Sequence, residues 1–142
     1  MEIINMATIL TGPSLSAVVA SSTVYPSRFV KYGTTDYEVV QCTADDVVIG
    51  ISQEGAALPP TDENYSSGLY FSVGDPIAIY GVGRICKLEL GSTVTVGAAL
   101  MPDSDGKGIA ATDGKNMGAF AKSAGVSGDL IEVVVNSAEV NV

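Results

Sequence analysis

From Arg28 onward the chain reads as short runs in which apolar and polar positions alternate, separated by residues that favour turns. The runs "RFVKYG", "YEVVQC", "DVVIGIS", "LYFSV", "PIAIYG", "RICKLEL", "TVTV", "NMGAFAKS" and "LIEVVVN" are rich in β-branched and aromatic residues, which predicts nine short strands. In "RICKLEL" the positions of Cys86, Leu88 and Leu90 share one face, and Ile85, Lys87 and Glu89 share the other, the period-two pattern of a half-buried strand. "LIEVVVN" is apolar on both faces and predicts a central strand covered on both sides. Sixteen glycines and six prolines supply the joints. Regular strands with frequent turns predict an all-β domain, a small β-barrel or β-sandwich spanning residues 25–142.

Two segments break the regularity. Residues 55–68, "GAALPPTDENYSSG", make a polar loop longer than a hairpin requires. Residues 1–24 carry apolar patches without alternation. "PSLSAVVASS" has room for one or two helical turns from Pro13, but its serines and valines are poor helix formers and its length is marginal. The expectation for residues 1–24 is an extended N-terminal arm that orders on a neighbour. Its apolar residues Ile3, Ile4, Met6, Ile9 and Leu10 are the contacts it offers.

Composition narrows the chemistry. The 142 residues suit one domain and a sizeable core. Seven Lys and Arg against sixteen Asp and Glu give a net charge of −9, which repels a nucleic-acid backbone at long range. The chain has no histidine, so a Ser-His-Asp site is impossible and the commonest general base and metal ligand are missing. Cys42 and Cys86 lack the paired short spacing of a zinc or redox motif and read as reduced, buried thiols. The first positive residue is Arg28, so the N-terminus lacks the basic start of a secretory signal. No run approaches the ~18 apolar residues of a membrane span.

Three stretches invite a chemical reading. Around Gly114-Lys115 a phosphate loop needs glycine at position 109 and Ser or Thr at 116, where Ile109 and Asn116 stand. Asp103-Ser104-Asp105 opens like a calcium loop, but Lys107 takes the fifth place and Gly114 the twelfth. A chain reversal explains Pro102 to Gly108 better. Adjacent Asp45 and Asp46 point to opposite faces of an extended chain and do not converge on one substrate atom; a solvated turn accounts for them. Arg28-Phe29-Val30-Lys31-Tyr32 interleaves cations with aromatics, yet Arg28 and Lys31 fall on opposite faces, which favours an edge strand or a protein contact through Arg28, Phe29 and Tyr32 over a nucleic-acid platform. Six tyrosines offer sugar-stacking surface or ordinary packing. No nucleophile, base and oxyanion donors assemble, so the expectation is a non-enzyme with no cofactor and no metal.

The order "SRFVKYG", "VVQCTADDVVIGISQEGA", "GSTVTVGAALMPDSDGKGIAA", Gly-Ala-Phe-Ala and a closing "GDLIEVVV" resembles the small capsid decoration, or cement, proteins of tailed bacteriophages over roughly residues 22–136. The resemblance implies a small β-barrel or sandwich, usually a homotrimer. It further implies binding between major capsid subunits on the outer surface of the head, with assembly in the host cytoplasm, and no catalytic residues. The alternative from the tyrosines is a carbohydrate-binding or host-adhesion module on the virion surface.

Overall fold

In the computed structural model, residues 14–20, 23–44, 46–53, 71, 73–74, 76–112 and 115–139 are described. They contain ten strands and no helix. The first five are β1 (Ser14–Val19), β2 (Phe29–Tyr32), β3 (Glu38–Gln41), β4 (Gly50–Ser52) and β5 (Pro76–Tyr80). The last five are β6 (Ile85–Glu89), β7 (Ala99–Pro102), β8 (Gly108–Ala110), β9 (Asn116–Ala121) and β10 (Leu130–Glu139).

The first five strands close into a barrel in the order β1-β3-β2-β4-β5. Closure comes from β1, which pairs in parallel with β3 and antiparallel with β5, from Ser14 opposite Tyr80 to Val18 opposite Pro76. Closing the barrel satisfies main-chain groups that an open sheet leaves at its edges. The other five strands form an antiparallel sheet in the order β6-β10-β9-β7-β8. Its two edges approach one another at one end, where Leu90 bridges Gly108 and the Gly91 N–H donates to the Gly108 carbonyl at 2.8 Å.

The two units share packing. Phe29 and Val30, neighbours on β2, point to opposite faces and are both fully buried. Phe29 joins Cys42, Val48 and Ile51 of the first unit to Leu88, Leu100, Val133 and Val135 of the second in one core cluster. Val30 joins Ala17, Val19, Val39, Ile77 and Ile79 in a cluster inside the barrel.

The expected all-β fold is what the chain forms, with local differences. "PSLSAVVASS" supplies a barrel strand instead of helical turns: Val19 is buried in the inner cluster, and β3 and β5 give β1 two lateral partners. The boundary expected at residue 24 therefore falls inside the barrel, while Ile3, Ile4, Met6, Ile9 and Leu10 lie outside the described residues. "TVTV" is reduced to one bridge, Val94 to Gly125, before a turn at Thr95–Ala98. β7 and β8 form a hairpin where only a turn was expected, with Met101 opposite Ile109. β10 is central as expected, between β6 and β9, but only one face is covered. Ile131, Val133 and Val135 are buried, whereas Leu130 is 56% exposed. Apolar density marks a strand that other strands flank; it does not reveal whether a second layer lies above it. A one-residue bulge between Val135 and Ala138 shifts the register of β10 against β9.

Candidate functional site

The densest polar constellation among the described residues ties the barrel to the second sheet, and Arg28 stands at its centre. Arg28 lies between the turn at Pro26–Ser27 and β2, and its N–H donates to Ser52 Oγ at 3.0 Å. The Ser52 hydroxyl in turn donates to the Tyr25 carbonyl at 2.8 Å. The guanidinium lies 5.0 Å from the centre of the Tyr25 ring. Across the junction, Arg28 Nη2 meets Glu89 Oε1 of β6 at 3.1 Å, and Nη1 donates to the Asp105 carbonyl at 2.9 Å. Glu89 also pairs through Oε2 with Lys107 Nζ at 3.4 Å. One carboxylate thus holds a cation from each unit.

The 103–107 turn is the other half of this junction. Asp103 Oδ1 accepts from the N–H groups of Asp105 (2.8 Å) and Lys107 (3.0 Å), so the carboxylate that suggested a calcium loop shapes the turn itself. Gly106 has a positive φ of 75°, and a β-carbon there would lie 2.8 Å from Gln41 Cγ. Its carbonyl accepts from the Phe29 N–H at 2.9 Å, and Gln41 Nε2 donates to the Asp105 carbonyl at 2.8 Å. The glycine in this loop therefore permits close docking of the turn on β2 and β3. Among the described residues, no three His, Cys, Asp or Glu side chains gather as a metal site.

A second ion pair lies on the barrel. Lys31 Nζ is 2.8 Å from Asp46 Oδ2, which also accepts from the Thr43 N–H and hydroxyl, each at 2.8 Å. Burial opposes ionisation of Asp46, but the hydrogen bonds from Lys31 and Thr43 and the charge of Lys31 outweigh it, and the carboxyl sits below its ordinary range. Nearby Cys42 is pushed up to about 12, by burial first and by the Asp46 charge second, with Lys31 pulling the other way. Cys42 and Cys86 are both buried reduced thiols, not joined in a disulfide.

The residues singled out from the sequence therefore separate. Arg28 serves the internal junction, with an 11% exposed side chain. Phe29 is fully buried and works from inside the core. Tyr32, 65% exposed, is open to solvent. Sequence reasoning missed Glu89 and Ser52 as partners of Arg28, and Gln41 as a second donor to the Asp105 carbonyl, because each sits in an unremarkable strand position and the contacts span 24 to 64 residues. It also missed an apolar row on the outer face of the second sheet, where Ile85 lies opposite Val134 and Val134 opposite Phe120. Ile85 is 52% exposed and Phe120 36%.

Comparisons with known proteins place this architecture. A comparison with curated protein sequences finds no match. Among solved structures, the chain is similar to the N base of the head fiber gp8.5 in bacteriophage phi29. That likeness has a TM-score of 0.65 at 17% identity and covers 92% of this chain and 98% of the other, a likeness of fold. The family model described as "Structural cement protein (E217 gp24/Pam3 gp6)" matches residues 6–136, which span both β units and the junction between them. On that match this chain belongs to the phage structural cement protein family, a structural component of the virion capsid and not an enzyme.

Proposed function

We propose that the chain clamps the outer surface of a phage head at joints between major capsid subunits, acting as a homotrimer. The observation that carries this reading is the family match over residues 6–136. The cross-tied packing supports it: a clamp transmits load only if its halves move together, and Arg28 links barrel to sheet through Glu89 and the Asp105 carbonyl. A ligand that binds the closed shell and not the opened one stabilises it by mass action. Three equivalent patches around a closed axis raise avidity without new chemistry. The partner in this reading is the major capsid protein.

In the same reading, Ile3, Ile4, Met6, Ile9 and Leu10 bring apolar surface to the shell or to a neighbouring subunit. The test is purified protein added to undecorated heads, with the sedimentation mass of the free protein measured alongside. Binding by a species of three chains supports the proposal; a monomer without affinity for any head overturns it. Because Ser14–Val19 belongs to the barrel, the informative deletion removes residues 1–13 only. Unchanged head occupancy after that deletion removes the arm from the account.

A further inference from the structure

We propose that the tip of the β2–β3 hairpin is a binding site for a neutral saccharide. The structure sorts the tyrosines that raised this chemistry. Tyr25 is engaged with Arg28, and Tyr80 lies under Arg84 with 5.1 Å between guanidinium and ring centre. Tyr65 and Tyr70 lie outside the described residues. Tyr32 and Tyr37 remain, 65% and 80% exposed, on either side of the tip. Both border one groove of about 530 Å³, together with Ala17, Thr34, Thr35 and Asp36. That volume falls within the roughly 300–1,000 Å³ range of small-molecule sites.

The lining selects the ligand class. Two phenol rings offer flat apolar faces with polar tips, suited to the C–H face of a sugar ring. Two threonine hydroxyls and one carboxylate supply donors and acceptors for ring hydroxyls. Among the described residues no Lys or Arg lines this groove, so there an anionic ligand finds a carboxylate and no counter-charge. Tyr32, Gly33 and Thr34 also border a neighbouring hollow of about 390 Å³, so a ligand longer than one ring can cross the tip; the charges there are Glu38 and Lys31, the latter paired with Asp46. The backbone adds an independent mark. Tyr37 sits at φ 65°, a left-handed conformation costly for a bulky side chain, although it is the most exposed of the described large apolar residues. Strain spent on presenting an aromatic ring to solvent is the pattern of a contact residue.

The site stands apart from the clamp function, and its test needs no capsid. Full-length protein is screened by saturation-transfer NMR against neutral hexoses, N-acetylhexosamines and their oligomers. The expected result is at least one oligomer bound with a Kd of about 1 mM or tighter. Tyr37→Gly removes the ring while suiting the left-handed backbone, and it should weaken that binding about tenfold or more, whereas Tyr37→Phe keeps it within about threefold. Shifts of the Tyr32 and Tyr37 ring protons in the unaltered protein give the same answer without any substitution. No bound saccharide at about 10 mM, or binding indifferent to Tyr37→Gly with unshifted tyrosine protons, overturns the proposal. Loss of trimer or head binding in these variants without any saccharide binding assigns the tip to a protein contact and also overturns it.

Discussion

Arg28 Nη2 of the barrel and Glu89 Oε1 of the second sheet meet at 3.1 Å, 61 residues apart in the chain. The Arg28 side chain is 11% exposed and that of Glu89 26%, so the pair is shielded but not dry. Glu89→Ala leaves the guanidinium with the Asp105 carbonyl and leaves Lys107 without its carboxylate. We expect a loss of about 1–2 kcal/mol, less than a fully buried pair because water reaches Glu89. Denaturant unfolding of both proteins checks it; an unchanged midpoint would show that the junction is held by packing alone.

The same junction depends on a glycine in β9. A β-carbon on Gly118 would lie 2.5 Å from Phe29 Cε1 and 2.9 Å from Val48 Cγ1. Gly118→Ala should cost about 1–3 kcal/mol through overpacking. The Phe29→Leu, Gly118→Ala double variant should recover part of that loss, because the two changes share one space. Strict additivity in thermal unfolding would mean that the ring and the glycine are not coupled.

Thiol chemistry follows from burial. Cys42 is raised to about 12 and both cysteines are buried, so at pH 8 the native protein should react with a thiol reagent only as fast as it opens. Two thiols per chain should titrate at once in denaturant. Fast labelling of the folded protein would contradict the burial of both.

The pH dependence has two arms of opposite sign. Asp46 is held below its ordinary range, so its contribution to stability is present above the unfolded carboxyl value of about 3.9 and fades as pH falls through the lower folded value. Cys42 is raised from 9.0 to about 12, so its contribution is complete below pH 9 and is lost between 9 and about 12 as the unfolded thiol ionises first. Asp46→Asn should weaken the acid arm and Cys42→Ala the alkaline arm of a stability profile. Arms unmoved by these changes would assign the titration to other groups.

How much of this was legible in the sequence depended on range. The alternation of Cys86, Leu88 and Leu90 against Ile85 and Lys87 gave β6 its buried and exposed faces directly, since period two is a local property. The turn at Asp103–Lys107 was legible for the same reason. Ser14–Val19 was not, because a strand with partners 20 and more residues away gains its stability from β3 and β5, and nothing local requires it. Arg28 was conspicuous as a cation beside aromatics, but its role rests on Glu89 and Asp105, which only the closed fold brings near. Phe29 and Tyr32 looked equivalent in sequence, but they lie three positions apart on β2 and so on opposite faces, the first in the core and the second exposed at the end of the strand.

The central claim is that this cross-tied β body strengthens a phage head by fastening across its joints. The direct measurement is the temperature at which undecorated heads open, taken with increasing amounts of the purified protein. The account predicts a saturable rise that follows occupancy, and a smaller rise with Glu89→Ala at equal occupancy. Full occupancy with no change in opening temperature would contradict it.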